Sequence, residues 1–212
     1  MFFRLLHGLS LLLITGTSTT GSVAVHAQPP NVTINSISAK GPGCPLDTLS
    51  ATASYDGGTI TFGFDQFHPY IGAGYPASER SKTCTINVRL GHALGYGFEL
   101  VDAVYHGFAR LDVNLSATIQ SSYEITDKNL SGANAQTEVT ASGELFGAYT
   151  LVGVPKDSTI VSKYGQVENE LQVTTRVTLM SRSASNWGSI EDEPPFLLEV
   201  QQLRLRWLAC GN

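Results

Sequence analysis

Cysteines, charged residues and long apolar runs are scarce in this chain, and each scarcity excludes a class of protein. The 212 residues include three cysteines and no Cys-x-x-Cys pair, which argues against dithiol redox chemistry. The 13 Lys and Arg residues are scattered and are outnumbered by 18 Asp and Glu residues, and the net charge of -5 argues against nucleic-acid binding. No apolar run reaches the roughly 20 residues that a membrane-spanning helix needs, so no membrane span is expected.

Motifs for catalysis and metal binding are also missing. His68, His92 and His106 follow none of the spacings of zinc-binding histidines. The chain has no Gly-x-Ser-x-Gly elbow for acyl transfer and no Gly-rich phosphate loop with its lysine. We therefore assign no catalytic residue, no metal and no cofactor from the sequence.

The first 27 residues have the three parts of a secretory signal peptide. A short basic start at Arg4 precedes an apolar run from Leu5 to Ile14, and a stretch of small residues ends at Ala27. We expect cleavage after Ala27. Residues 28–212 would then form a single secreted, extracellular domain, because that length supports one hydrophobic core.

Three Asn-x-Ser/Thr triplets suit the surface of a secreted protein. They predict N-glycosylation at Asn31, Asn114 and Asn129. A chain this rich in Ser and Thr also produces such triplets by chance.

Alternation of apolar and polar residues predicts β-strands over most of the chain. The longest alternation runs from Val101 to Ile119, where the odd positions, Val113 among them, are apolar and expected to face inward. Shorter alternations cover Cys84–Leu90, Leu171–Leu179 and Phe196–Val200. The remaining predicted strands are Val32–Ser38, Leu49–Tyr55, Thr59–Phe64 and Gln136–Leu145.

Two changes of parity predict β-bulges. The apolar set shifts by one residue after Val200, which places a bulge at Gln201-Gln202, and a similar shift occurs between Leu100 and Val101. Gly107 is expected to mark a bulge or bend. Many short strands, Gly-rich turns and no helical stripe predict an all-β fold, a single-domain antiparallel β-sandwich.

One strand face has a composition that suits a ligand. If the odd residues after Val101 face inward, the even residues lie on the outer face. The polar residues there are Asp102, His106, Arg110 and Asp112, and the apolar ones are Phe108 and Val104. An aromatic ring among charged groups can stack on a sugar while the charged groups bind its hydroxyls. The competing interpretation is an ordinary solvated face with scattered apolar residues.

The segment Asp65–Arg80 is a second candidate. It is long, and it is rich in aromatic residues, Gly and Pro, as functional loops often are. The competing interpretation, which we favour, is an Ω-loop tied to the core by Phe67, Tyr70 or Tyr75.

Four short segments of the chain have counterparts in a known family. They are Gly43-Cys44-Pro45, Thr83-Cys84-Thr85, Tyr105-His106-Gly107 and Trp207-Leu208-Ala209-Cys210. Together they resemble a family of secreted fungal and bacterial proteins with no assigned function, domain of unknown function 4360. The second segment departs from the family's Asn-Cys-Gln signature and the third from its Tyr-Arg-Gly strand. The resemblance covers nearly all of the mature chain and implies a single β-domain behind a signal peptide.

The same resemblance bears on the cysteines. Many members carry a further cysteine where this chain has Tyr164-Gly165, which implies that Cys44 pairs with Cys84 in a stabilising disulfide and that Cys210 has lost its partner. Three cysteines leave two other pairings open. A leftover thiol in an oxidising compartment is expected to be free, capped or, less often, joined to a second chain, so we expect a monomer with a Cys210-linked dimer as the exception.

The sequence leaves the function open between two classes. The first is a non-catalytic secreted binding or structural protein of the extracellular matrix, cell wall or host interface, with wall polysaccharide or another extracellular protein as partner. The second is a secreted enzyme acting on polysaccharide through paired carboxylates, drawn from Asp65, Glu79, Asp102 and Asp112. Two inward-facing carboxylates in one cleft would favour the enzyme, and a flat polar sheet would favour binding.

Overall fold

The computed structural model describes residues 31–72, 74–126, 134–156, 160–182 and 195–209. The predicted signal peptide, the predicted glycosylation site Asn129 and Cys210, whose free or capped state stays a prediction, lie outside these residues. Within them the chain forms ten strands and one short 3₁₀ turn, Ala77–Arg80, ahead of the fourth strand. The strands are β1 (Thr33–Lys40), β2 (Leu49–Ala53), β3 (Thr59–Phe64), β4 (Ser81–Gly91), β5 (Tyr96–Leu111), β6 (Leu115–Ile125), β7 (Asn134–Ser142), β8 (Leu145–Gly153), β9 (Glu168–Ser181) and β10 (Phe196–Ala209).

The strands form two antiparallel sheets, which confirms the predicted all-β fold. Sheet A has the order β1-β4-β9-β6-β7, and sheet B has the order β2-β3-β10-β5-β8. Every described strand pairing is antiparallel. The buried residues of both sheets belong to one hydrophobic cluster, as expected for a single domain.

The alternation along β5 is confirmed, with one error. Ala103, Tyr105, Ala109 and Leu111 are buried, so the odd residues face inward. Val113 was predicted to do the same and is instead 51% exposed. It lies in the turn between β5 and β6, where the strand alternation no longer applies.

The predicted strand Gln136–Leu145 is wrong in its extent. The structure breaks it after Ser142 and starts β8 at Leu145, so two strands in different sheets replace a single strand, and the short turn between them carries the chain from sheet A to sheet B. Gly143 makes this turn possible because a Cβ there would lie 1.8 Å from the carbonyl oxygen of Asp112. Apart from Leu145, the nine residues of β8 were missing from the prediction.

The bulge in β10 lies two residues earlier than predicted. The pairing with β5 shifts between Leu198 and Val200, so Glu199 is the extra residue rather than Gln201-Gln202. The partner shift at Val101 in β5 is confirmed. Gly107 lies opposite the Glu199 bulge, where a Cβ would meet the carbonyl oxygen of Leu197 at 1.9 Å.

The position of the bulge turns Gln201 inward, into a polar network between the two sheets. Its members are fully or almost fully buried; they are Tyr105, Ser121, Tyr123, Thr137, Thr175 and Gln201. Tyr105 and Gln201 belong to sheet B and the other four to sheet A. The network therefore joins the sheets across the core by hydrogen bonds.

The donor and the acceptor can be assigned for three hydrogen bonds of the network. The Tyr105 hydroxyl donates to Ser121 Oγ at 2.9 Å, and the Thr175 hydroxyl donates to Gln201 Oε1 at 2.8 Å. Since the proton of Thr175 is already used, the 2.8 Å contact between Ser121 and Thr175 must be donated by Ser121. Tyr123 and Thr137 complete the cluster at 3.0 and 2.7 Å from the Tyr105 oxygen.

A disulfide joins Cys44 to Cys84, as the family resemblance implied. Their Cα atoms are 5.3 Å apart, and both side chains are buried. The bond ties the connection between β1 and β2 to the middle of β4.

The Asp65–Arg80 segment is anchored as an Ω-loop would be. Phe67 is fully buried and its carbonyl oxygen accepts a 3.0 Å hydrogen bond from the Leu198 amide of β10. Tyr70 and Tyr75 stack on each other with ring centroids 4.6 Å apart.

Loss of the disulfide should destabilise the protein. Closing a loop with a sequence separation of 40 residues restricts the unfolded chain by about 3–4 kcal/mol in the chain-entropy description. We expect the Cys44→Ala/Cys84→Ala double variant to lose about that free energy of unfolding in urea titrations. A variant as stable as the parent would contradict a stabilising role. Peptide mapping without reductant that joined either residue to Cys210 would contradict the pairing itself.

The tyrosine network should make the protein sensitive to alkali. Burial raises the pKa of Tyr105 and raises that of Tyr123 well above its ordinary value, near 10. Above about pH 10 the unfolded chain releases these protons and the folded chain keeps them, so the free energy of unfolding is intact below that pH and falls as the pH rises. Urea titrations between pH 8 and 11 should show a shallower fall in Tyr123→Phe. Tyr55→Phe, which removes a fully exposed phenol, is the control, and equal slopes in all three proteins would refute the assignment.

Candidate functional site

The outer face of sheet B carries the candidate site. Since the odd residues of β5 face the core, His106, Phe108 and Arg110 project outward, and each is half-buried. β8 lies beside them, with Thr150 opposite His106 and Phe146 opposite Arg110.

Phe108, Arg110 and Phe146 form a contact cluster, here called the Phe–Arg cluster. The two rings meet edge to face with centroids 5.8 Å apart and an interplanar angle of 79°. The guanidinium carbon of Arg110 lies 5.0 Å from the Phe146 centroid and 5.8 Å from that of Phe108, which is cation–π distance. Phe146 is 74% exposed, so the cluster presents an aromatic surface beside a fixed positive charge.

A polar pair borders the cluster. His106 Nδ1 lies 3.0 Å from Thr150 Oγ1, and the two side chains are neighbours on β5 and β8. An imidazole and a hydroxyl at the edge of an aromatic surface can exchange hydrogen bonds with the hydroxyls of a sugar.

An inward contact holds β8 in place beneath this surface. The buried Tyr149 hydroxyl donates to the carbonyl oxygen of Leu197 on β10 at 3.0 Å, and its ring stacks on Phe196 at 4.7 Å. Burial, together with the charge of Glu199, raises the pKa of Tyr149. The phenol therefore stays neutral at ordinary pH and fixes the edge strand that carries Phe146.

Sequence reasoning missed Phe146. The residue lies one position beyond the end of the predicted strand Gln136–Leu145, and an apolar residue in a strand is ordinarily assigned to the core. The available signal was the alternation of Leu145, Tyr149 and Leu151 against Phe146 and Thr150, which has period two.

Two of the five predicted ligand-face residues, Asp102 and Asp112, are not part of the Phe–Arg cluster. Asp102 is buried and accepts both guanidinium hydrogen bonds of Arg204, with 2.5 Å between Arg204 Nε and Asp102 Oδ1. Its hydrogen bonds and charge raise the pKa of Arg204. Asp112 belongs to the turn after β5 rather than to the strand face.

The four carboxylates considered for catalysis occupy separate parts of the fold. Glu79 pairs with Lys82 at 2.6 Å, Asp65 follows β3, and Asp102 and Asp112 lie as described above. None of the four lines either depression described on the surface. Within the described ranges, no group of three or more His, Cys, Asp or Glu side chains could hold a metal ion.

Two of the predicted glycosylation sites can be placed. Asn31 and Asn114 are exposed, and both have positive φ, at 64° and 72°. Asn114 lies in the turn between β5 and β6. Glycosylation at these residues remains a prediction.

Comparison with known proteins gives the family. Residues 30–210 match the family described as Domain of unknown function (DUF4360). The chain belongs to this family. An uncharacterized secreted protein of Arthroderma benhamiae is 27% identical over 185 residues, which cover 87% of this chain and 74% of that relative. In the part of this DUF4360 chain that the structure describes, no helix is long and apolar enough to cross a membrane.

Two solved structures share a loose likeness. TmCBM61 in complex with β-1,4-galactotriose aligns over 83% of this chain and 90% of its own, with 8% identity and a TM-score of 0.29. The enzymatically active domain of tailspike protein 4 from bacteriophage CBA120 aligns over 81% of this chain and 19% of its own, with 11% identity and a TM-score of 0.26. Both TM-scores are too low for these likenesses to bear on fold or function.

The Asp102–Arg204 pair should serve stability in this DUF4360 protein. Arg204→Gln leaves a carboxylate whose side chain is 8% exposed without its cation. We expect the free energy of unfolding to fall by about 1–2 kcal/mol, less than the 3–5 kcal/mol of a fully buried pair because Arg204 itself is half exposed. Arg89→Gln, which breaks an exposed pair with Glu170, is the matched control in urea titrations. Equal losses in the two variants would contradict the structural role.

Proposed function

We propose that this protein is a non-catalytic, secreted polysaccharide-binding protein, and that the Phe–Arg cluster is its binding surface. The observation that carries the proposal is the 74% exposure of Phe146 within a cluster whose two rings and guanidinium are in mutual contact. An exposed aromatic on a monomeric surface is costly to hydrate, and a group of them marks an interaction site more often than a lone apolar residue does.

The chemistry of the cluster suits a sugar. The apolar face of a pyranose can stack on the ring of Phe146 or Phe108. Arg110, whose guanidinium is already held against both rings, can donate to the hydroxyls of the sugar. Holding the side chain in advance reduces the conformational entropy lost on binding. His106 and Thr150 supply further hydrogen bonds at the border.

The surroundings of the cluster support binding over hydrolysis. The site lies on the outer face of sheet B. Asp102, which is buried, is paired with Arg204. Hydrolysis of a glycosidic bond ordinarily needs two carboxyl groups at a defined separation. Secretion is inferred from the leader and agrees with the name of the Arthroderma benhamiae relative.

Retention on insoluble polysaccharide tests the proposal. We expect the purified protein to be retained on at least one of chitin, cellulose, β-1,3-glucan and mannan. Phe146→Ala and Phe108→Ala should each weaken retention about tenfold, a loss of about 1.4 kcal/mol, with an unchanged circular dichroism spectrum.

The matched control is Tyr55→Ala. Tyr55 is a fully exposed aromatic in the turn between β2 and β3, more than about 20 Å along sheet B from Phe108. Equal retention of the two phenylalanine variants and the control would refute the proposal. A parent protein retained by none of the polysaccharides would also refute the proposal, and it would favour an extracellular protein as the partner of this surface.

A further inference from the structure

The outer face of sheet A has a different chemistry from that of sheet B. Its outward side chains on β6, β7 and β9 are mostly hydroxyl, amide and charged groups, and cross-strand hydrogen bonds join several of them; examples are Thr118–Thr140, Thr85–Thr174, Gln120–Glu138 and Asn87–Gln172. A depression of about 340 Å³ opens on this face. That volume is at the lower end of the range for small-ligand sites, about 300–1,000 Å³.

The strand register builds the depression from two neighbouring rows of side chains. Gln120 stands between Glu138 on β7 and Arg176 on β9, and in the next row Ser122 stands between Gln136 and Thr174. Lys156, from the segment after β8, also lines the depression, as do the buried Ser121 and Thr137. Every outward side chain in these rows is polar, which excludes an apolar ligand.

The charges of the lining favour an anion. Lys156 and Arg176 are exposed, and within the described ranges neither makes an ion pair; Arg176 Nε donates only to Thr83 Oγ1, at 3.3 Å. The other exposed arginines of the two sheets behave differently, because Arg89, Arg204 and Arg206 each pair with a carboxylate.

One carboxylate in the lining offsets part of the positive charge of Lys156 and Arg176. Glu138 accepts a 2.7 Å hydrogen bond from Gln120 Nε2, so the lining carries two cations and one hydrogen-bonded anion. The depression is therefore a small positive site on a chain whose net charge is -5.

We propose that this depression binds an acidic sugar, with Lys156 and Arg176 on the carboxylate of a uronic acid and the row of Gln136, Ser122 and Thr174 on its hydroxyls. Lysine and arginine are the side chains that pair best with a carboxylate, and amide and hydroxyl groups match the donors and acceptors of a sugar ring. The described residues that line the depression include no aromatic, which distinguishes this site from the Phe–Arg cluster.

The site is independent of the function proposed above. The two sheets pack face to face at about 10 Å, and the cluster and the depression lie on their opposite outer faces. A protein with both sites would link an acidic glycan on one face to a stacked sugar on the other.

Calorimetric titration with tri-galacturonic acid tests the proposal on the intact secreted protein. We expect binding that weakens as NaCl is raised, because the ligand is anionic and the site is exposed. Maltotriose, a neutral trisaccharide, should bind at least tenfold more weakly. Lys156→Ala and Arg176→Ala should each lose five- to tenfold in affinity. Glu138→Gln, which removes the opposing charge, should gain two- to threefold.

Arg89→Ala is the matched control, since Arg89 is an exposed arginine on the same sheet but outside the depression. Melting temperatures within a degree of the parent will show that all four variants fold. Equal losses of affinity in Arg89→Ala and Arg176→Ala would show that the loss comes from the net charge of the protein, and they would overturn the site. Equal binding of maltotriose, or no binding of tri-galacturonic acid, would overturn the acidic-sugar assignment. The titration uses a soluble ligand, so it stays readable whether or not the protein is retained on an insoluble polysaccharide.

Discussion

The hydrogen-bonded network between the sheets is the constraint on which the rest of the sandwich depends. Apolar contacts alone allow two sheets to slide, because hydrophobic attraction has no direction. A buried hydroxyl without a partner costs about 1–3 kcal/mol, so displacing Tyr105 from Ser121 or Gln201 from Thr175 is penalised at every contact. The network therefore selects one alignment of sheet A on sheet B, and with it the direction in which each outer face presents its side chains.

The sequence predicted the strands well because alternation follows directly from strand geometry. The bounds of Thr59–Phe64 were predicted without error. The inward residues of β5 after Val101 were also predicted correctly, and the error at Val113 lies in the turn that follows the strand. The buried Gln201 and the exposed Phe146 were both missed, because apolar residues are ordinarily assigned to the core and polar residues to the surface. Gln201 is polar and buried because Thr175, Ser121 and Tyr123 lie within hydrogen-bond distance of its amide group, and Phe146 is apolar and exposed. Alternation within β8 signals the outward position of Phe146, whereas the hydrogen bonds that satisfy Gln201 come from other strands.

The sequence predicted only the part of the candidate site that belongs to β5. His106, Phe108 and Arg110 lie on one strand, so their common face follows from parity alone. The contribution of β8 depends on the pairing of two strands some forty residues apart, which the sequence does not specify. Asp102 shares the parity of the site, yet its role is decided by Arg204 on a third strand. Long-range pairing, rather than local pattern, separates a ligand face from a structural ion pair here.

The single extra residue at Glu199 also sets the phase of everything that follows it in β10. Gln201, Leu203, Leu205 and Trp207 reach the core only because the chain gains one residue before them. A relative that lacks this residue would need a one-position gap at Glu199 when its sequence is aligned with this chain. Aligned without the gap, its core positions would be matched to the surface positions of β10, and substitutions at the network would be mistaken for changes at the surface.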